Sequence, residues 1–257
     1  MLALHGTPGS EPILDRAWKL VRSWQHPDGS FQPGAEVKDG TWVTALGLTL
    51  ARVRGIDDAG VHSSIDYLLH VVGEEHNPWT RTGAFLHLLK AKLDVSHEGW
   101  PWRDGNASWI EPTAHTIVAL KKAGVYRSAE VARRVRDGED LILSRRCTDG
   151  GWNYGTPNML YFDLPSYPET TALALLALDG RNEREYQGAV ELSTMFHVKT
   201  KSSLGKAWLQ IALRCHSQNL PTPAETEWKS TDIMLAALEA LGHPDGNFRL
   251  FKAEVRA

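Results

Sequence analysis

Residues 151–178 read GWNYGTPNMLYFDLPSYPETTALALLAL, and residues 99–120 read GWPWRDGNASWIEPTAHTIVAL. Each stretch opens on Gly-Trp, runs through a polar and aromatic loop, and reaches a Glu two residues ahead of Thr-Ala and an apolar run. Aligned on the closing Ala-Leu, Glu111 falls on Glu169 and Thr113 on Thr171. Fainter copies lie to either side. Asp28-Gly-Ser-Phe31 precedes Trp42-Val-Thr-Ala-Leu-Gly-Leu, with Trp42 in the Glu position. Lys229-Ser-Thr231-Asp-Ile-Met-Leu-Ala-Ala-Leu puts Lys229 there. These positions stand 69, 58 and 60 residues apart, too regular for chance and too loose for a strict solenoid.

Further helices are predicted between the copies, from apolar residues at three- and four-residue steps: Glu11 to Gln25, Ser63 to Val72, Thr82 to Leu93, Ala129 to Arg145, Glu185 to Phe196 and Leu204 to His216. No alternating strand pattern stands out. The runs Thr113–Leu120 and Thr171–Leu178 are almost wholly apolar, whereas Ala129–Arg145 is amphipathic. Helices that are apolar all round are buried and amphipathic ones lie outside them. The expected architecture is therefore all-α, with about ten helices in an inner and an outer layer. No Gly/Ser linker or charge block divides the chain, so one domain is expected over residues 1–257, with the repeats in 11–242 and a tail over 243–257.

Lys and Arg number 28 against 31 Asp and Glu, a net charge of −3, which excludes nucleic-acid binding by bulk positive charge. No run approaches the length of a membrane span. The first residues lack a basic region followed by an apolar one, so a cytoplasmic location is expected. Cys147 and Cys215 are too few for a disulfide scaffold. Trp is the unusual residue: there are ten, against six Phe and six Tyr. Trp100, Trp102, Trp109 and Trp152 sit in loop-like stretches, where a packing or binding reason is needed.

Asp149-Gly-Gly-Trp152, taken with Pro168-Glu-Thr-Thr-Ala-Leu-Ala-Leu-Leu-Ala-Leu178, resembles the squalene–hopene cyclase and protein prenyltransferase β-subunit superfamily. Gln25-His-Pro-Asp-Gly-Ser-Phe31 is similar to that superfamily's QW motif, with Phe in place of the final Trp. The resemblance covers residues 11–242 and is strongest over 99–178. It implies an α/α toroid of helical hairpins around a central apolar cavity, here an incomplete ring or open crescent, with inner-helix N-termini at the cavity mouth.

The resemblance also implies where chemistry would sit. Cyclases of this superfamily protonate an alkene with an Asp-x-Asp-Asp element at the start of an inner helix. The matching stretch is Tyr167-Pro-Glu-Thr170, in which only Glu169 is a carboxylate, so standard cyclase activity is not expected. Asp137-Gly-Glu-Asp140 looks similar but falls in an outer helix and reads as a solvated polar face. The prenyltransferases hold zinc with an Asp, a Cys and a His, and neither cysteine stands at that place; no metal or cofactor is expected. His115, one turn into an inner helix, reads first as a packed residue and second as a ligand contact.

Glu111 and Glu169 remain as candidate catalytic residues at one repeat position. Trp100, Trp102 and Trp109 crowd the loop before one, and Trp152, Tyr154, Asp163 and Tyr167 crowd the loop before the other. Aromatics with a few polar anchors suit a small, largely apolar ligand. Two carboxylates beside aromatics also suit a sugar. A protein-interaction scaffold is the third reading. Against catalysis stands local helix chemistry. Ser166-x-x-Glu169 spells a capping box, and the helix dipole favours a Glu near an N-terminus by about 0.3–1 kcal/mol. Pro112 is expected at the first helical position, leaving Glu111 at the cap.

Overall fold

The computed structural model describes residues 9–76, 96–124, 128–159, 161–218, 220, 232–246 and 248–252. Among them the chain forms nine α-helices: α1 Glu11–Arg22, α2 Val43–Val53, α3 Ala59–His70, α4 Ile110–Lys122, α5 Ala129–Ser144, α6 Pro168–Leu178, α7 Gln187–Lys199, α8 Ser203–Cys215 and α9 Ile233–Gly242. The fold is all-α. Its one sheet is a hairpin of β1 Asn158–Met159 and β2 Phe162–Asp163, paired antiparallel with Met159 opposite Phe162. The expected helix over Thr82–Leu93, and the positions Lys229 and Thr231, lie outside the described residues.

Contacts divide the chain into two compact units, residues 15–144 and residues 145–257 with 1–14. In the first, α2 packs on α3 and α4, and α4 packs on α5. In the second, α8 packs on α6, α7 and α9, and α6 also meets α7. The two apolar runs become the most enclosed helices. In α4 every residue from Pro112 to Lys121 is buried, and in α6 every residue from Thr170 to Leu178. Each fully buried Leu or Ile in such a run contributes about 1.5–3 kcal/mol relative to exposure.

The outer helices differ. α1 buries none of its residues and is tied down by surface ion pairs, Asp15 with Arg54 and Arg22 with Asp58. The α3 start lies earlier than the apolar periodicity suggests. Asp58 accepts the Val61 N–H at 3.0 Å and so begins the helix at Ala59.

One sequence expectation is overturned on α5. Asp137-Gly-Glu-Asp140 is not a solvated face, because Glu139 is buried and pairs with Lys121 of α4 at 2.7 Å. Gly138 explains the close approach: a Cβ there would stand 2.6 Å from the Trp100 ring. Both cysteines are buried and not in a disulfide, and the Cys215 thiol donates to the Phe248 carbonyl at 3.4 Å.

Candidate functional site: the aromatic ends of the repeat helices

The repeat seen in the sequence is a hydrogen-bonding device. Thr113 Oγ1 accepts the Trp100 N–H at 2.9 Å, and Thr171 Oγ1 accepts the Trp152 N–H at 3.0 Å. In the first copy Thr44 Oγ1 accepts the Phe31 N–H at 2.8 Å. Each threonine thus locks a loop onto the helix that follows it. Glycine is needed where the loop crosses. A Cβ on Gly99 would stand 2.9 Å from Thr113 Oγ1, and one on Gly151 would stand 2.7 Å from Thr171 Oγ1.

Carboxylates fix the far side of the same loops. Asp149 accepts both the N–H and the hydroxyl of Ser166, at 2.9 and 3.0 Å. The equivalent Ser108 N–H donates to Glu75, a residue the sequence reading did not single out. Gln25 donates to the carbonyls of Gly29 and Gly60 and to Ser64 Oγ, joining its loop to the first turn of α3. Arg146 does the same in the second unit, donating to the carbonyls of Gly150 and Glu185 just ahead of α7.

These locks decide where the tryptophans go. Trp100 is 1% exposed and Trp152 is fully enclosed, so both belong to the core and not to an open ligand surface. Their loops are held against α4 and α6 by the glycine–threonine contacts, which turn the rings inward. Trp100 Nε1 donates to the Leu68 carbonyl at 2.7 Å, and the Arg134 guanidinium lies over its ring at 4.0 Å. Trp102 is half-buried and meets Trp42 edge-on, with ring centroids 4.9 Å apart. Trp42 also approaches His115, at 5.4 Å. Burial pushes the His115 imidazole down to about 4, so it is neutral at pH 7. The enclosed space near Trp42, bordered by Tyr67, Trp100 and Thr116, has about 10 Å³ open to the centre of a water. That admits one water and no organic ligand.

The starts of the repeat helices are unusual. The N-cap residues of α2, α4 and α6 are Trp42, Trp109 and Tyr167, and none makes a side-chain cap. By contrast Asp58, Ser202 and Asp232 cap α3, α8 and α9 with hydrogen bonds. Trp109 is 38% exposed and Tyr167 is 41% exposed, and Tyr167 packs against Tyr154 with ring centroids 5.3 Å apart. Asp163 is exposed on β2.

Two local expectations are corrected at these helix starts. Pro112 is the third helical residue, not the first, and Glu111 is the second. The first intrahelical bond runs from Thr113 N to the Trp109 carbonyl, so Pro112 forfeits none. The capping box at Ser166 does not form, because the Ser166 hydroxyl is held by Asp149 and α6 begins one residue later. Glu169 instead accepts the Ser202 hydroxyl at 2.5 Å, while Ser202 Oγ accepts the Gly205 N–H at 3.0 Å. A Cβ on Gly205 would stand 2.8 Å from the Glu169 carboxylate. Glu169 is thus built into the joint between α6 and α8. Thr170 is buried and donates to the Trp152 carbonyl at 2.6 Å.

Among the described residues no three His, Cys, Asp or Glu side chains gather as a metal-ligand set, and no helix is long and apolar enough to cross a membrane. The sequence matches no protein-family profile and no curated protein sequence. Solved structures do match. One is a variant of the type II terpene cyclase MstE from Scytonema in complex with geranylgeranyl dihydroxybenzoate, with TM-score 0.55 and 14% identity. The match covers 94% of this chain and 63% of that one. Another is the same cyclase without ligand, with TM-score 0.54, 16% identity, and 94% and 64% coverage. The chain spans less than two thirds of the length of these structures. What the chain shares with the type II terpene cyclase MstE is a terpenoid cyclase-like helical fold.

Proposed function

We propose that this protein binds a small, largely apolar, isoprenoid-like molecule against the aromatic N-terminal ends of α2 and α4, within residues 15–144, without standard cyclase activity. The carrying observation is that α2 and α4 open on Trp42 and Trp109 with no side-chain cap. An uncapped start costs about 1 kcal/mol relative to Ser or Asp. Trp109 is also 38% exposed, and a ligand covering that surface would offset the cost. Among the contact residues Trp102 and His115 back Trp42. Glu111, in the first turn of α4, is the polar anchor. Glu169 is committed to Ser202.

The ligand class rests on the fold neighbour, which holds a geranylgeranyl compound. The absence of standard cyclase chemistry rests on Tyr167 and Thr170 standing where the superfamily has aspartates. A cytoplasmic location accords with the sequence.

The test is thermal melting with geranylgeraniol and, separately, with cello-oligosaccharides. A ligand at about a hundred times its Kd adds about 2.7 kcal/mol. For a chain of this size that is a rise of roughly 5–10 °C. Geranylgeraniol should give it, and Trp109→Ala should reduce it. Squalene should yield no cyclic product by mass spectrometry. A shift with the oligosaccharides alone, abolished by Glu111→Gln, would replace this reading with a carbohydrate-active one.

A further inference from the structure

A second feature of residues 15–144 has the opposite chemistry. A groove of about 540 Å³ is bordered by His26, Asp28, Lys38, Asp39, Arg103 and Asp104. That is the volume of a small-molecule site, without the apolar lining such sites usually have. Charges of both signs border it, and they are poorly matched to one another. Arg103 Nη2 stands 3.7 Å from Asp39 Oδ2, beyond hydrogen-bond reach. Among the described residues the Asp104 carboxylate and the Lys38 ammonium have no ion pair or hydrogen bond. Asp28 engages only Oδ1, which accepts the N–H and hydroxyl of Ser30 at 2.9 and 2.8 Å. Its Oδ2 has no hydrogen bond among the described residues. The Nε2 atom of His26 is shielded from solvent and has no partner.

The carboxylates at one part of the groove act together. Burial pushes the Tyr67 phenol up, and the charges of Asp104 and Asp28 push it further in the same direction. Tyr67 therefore stays protonated beside two negative groups. The Asp28 side is also held rigidly. Gly29 adopts φ +90°, and the turn closes through His26 N to the Ser30 carbonyl at 2.8 Å and Gly29 N to the His26 carbonyl at 3.0 Å. A carboxylate held in place before binding loses little freedom on meeting a ligand.

We propose that this groove binds a small zwitterion of the α-amino-acid type, its ammonium on Asp28 and Asp104 and its carboxylate on Lys38 and Arg103. A ligand of one sign alone meets repulsion from the other set of charges. A polyol would find no aromatic platform among the bordering residues. The proposal is independent of the apolar site, which uses none of these side chains.

Saturation-transfer NMR and calorimetry on the whole chain test it, with each proteinogenic amino acid in turn and with ethanolamine, acetate and sucrose as the partial mimics. At least one amino acid should bind, and ethanolamine and acetate should each bind at least tenfold more weakly. Asp104→Asn and Lys38→Ala should each weaken the best amino acid by about 10- to 100-fold, the loss of one charge-assisted bond. Neither side chain holds the fold together, and circular dichroism should confirm that both variants are folded. Trp109→Ala should leave this binding unchanged. Three outcomes overturn the proposal: no saturation transfer to any amino acid, sucrose binding as tightly as the best of them, or undiminished binding by Asp104→Asn.

Discussion

Replacing Arg134 by Met should remove a large share of the stability of residues 15–144. Arg134 is 1% exposed, and its guanidinium closes the C-terminus of α3. It donates to the carbonyls of Leu69 at 3.4 Å and Val71 at 2.9 Å, which the helix itself cannot satisfy. A third bond reaches the Glu98 carbonyl at 3.1 Å, and the Glu98 carboxylate stands 3.5 Å away. Burial pushes the guanidinium down to about 10, with Glu98 opposing, so it remains charged at neutral pH. The substitution strands three carbonyls at about 1 kcal/mol or more apiece. It also ends a stacking contact with Trp100 worth about 1–2 kcal/mol. Met refills part of the volume. The net loss should be about 3–5 kcal/mol, the scale seen when one member of a buried charged set is removed. Thermal melting should fall by roughly 8–15 °C. Arg134→Lys should recover only part of it, because an ammonium cannot bridge three carbonyls while lying flat on an indole. Urea unfolding measures both variants. An Arg134→Met protein within 1 kcal/mol of the parent would show that the guanidinium does not cap α3.

Acid should weaken the protein through His115. The folded imidazole titrates near 4, against 6.5 in an unfolded chain. Between pH 6.5 and 4 the unfolded state takes a proton that the native state refuses. The stabilising contribution is therefore complete above pH 6.5 and falls by about 3 kcal/mol on the way down to pH 4. His115→Gln should flatten that slope in melting curves taken across the window, and an unchanged slope would refute the assignment. At the joint between α6 and α8, Ser202→Ala removes both a cap and the partner of Glu169, and should cost about 1–2 kcal/mol. Glu169→Gln keeps an acceptor there and should cost less than 1 kcal/mol in the same unfolding assay; the reverse order would show that the carboxylate has another task.

The helices most legible in the sequence were α4 and α6, because a run with no polar side can only be enclosed. The repeat was legible for a related reason: Thr113 and Thr171, each the fourth residue of its helix, both take a loop N–H, and that demand fixes the residue type. Side-chain direction was not legible. Trp100 and Trp102 are two residues apart in one loop, yet the first is enclosed and the second is half-buried. The difference depends on a glycine passing close to Thr113 and on Arg134, which arrives from a helix more than thirty residues away. Helix starts were misjudged where an aromatic residue takes the cap. Ser166 carries the usual capping signal, but its N–H and hydroxyl are bound by Asp149 and α6 begins one residue later, whereas Pro112 points to a start at 112 and α4 begins two residues earlier, at Ile110. Glu75 precedes its partner Ser108 by 33 residues, a partnership that no local pattern encodes.

Gln25 and Arg146 have a consequence for how relatives of this chain can be found. Each stands six residues before the ring of its loop, Phe31 in one case and Trp152 in the other. Each reaches the carbonyl of the residue four places on and the opening of the next outer helix. The first copy has Gln25 and Phe31 at these two places, and the second has Arg146 and Trp152. A search that demands both letters passes over either copy, although the bond pattern is common to the two. What the two copies share is which carbonyls the side chain reaches, and a pattern permitting Gln or Arg at one end and Trp or Phe at the other would recover both where the stricter spelling misses them.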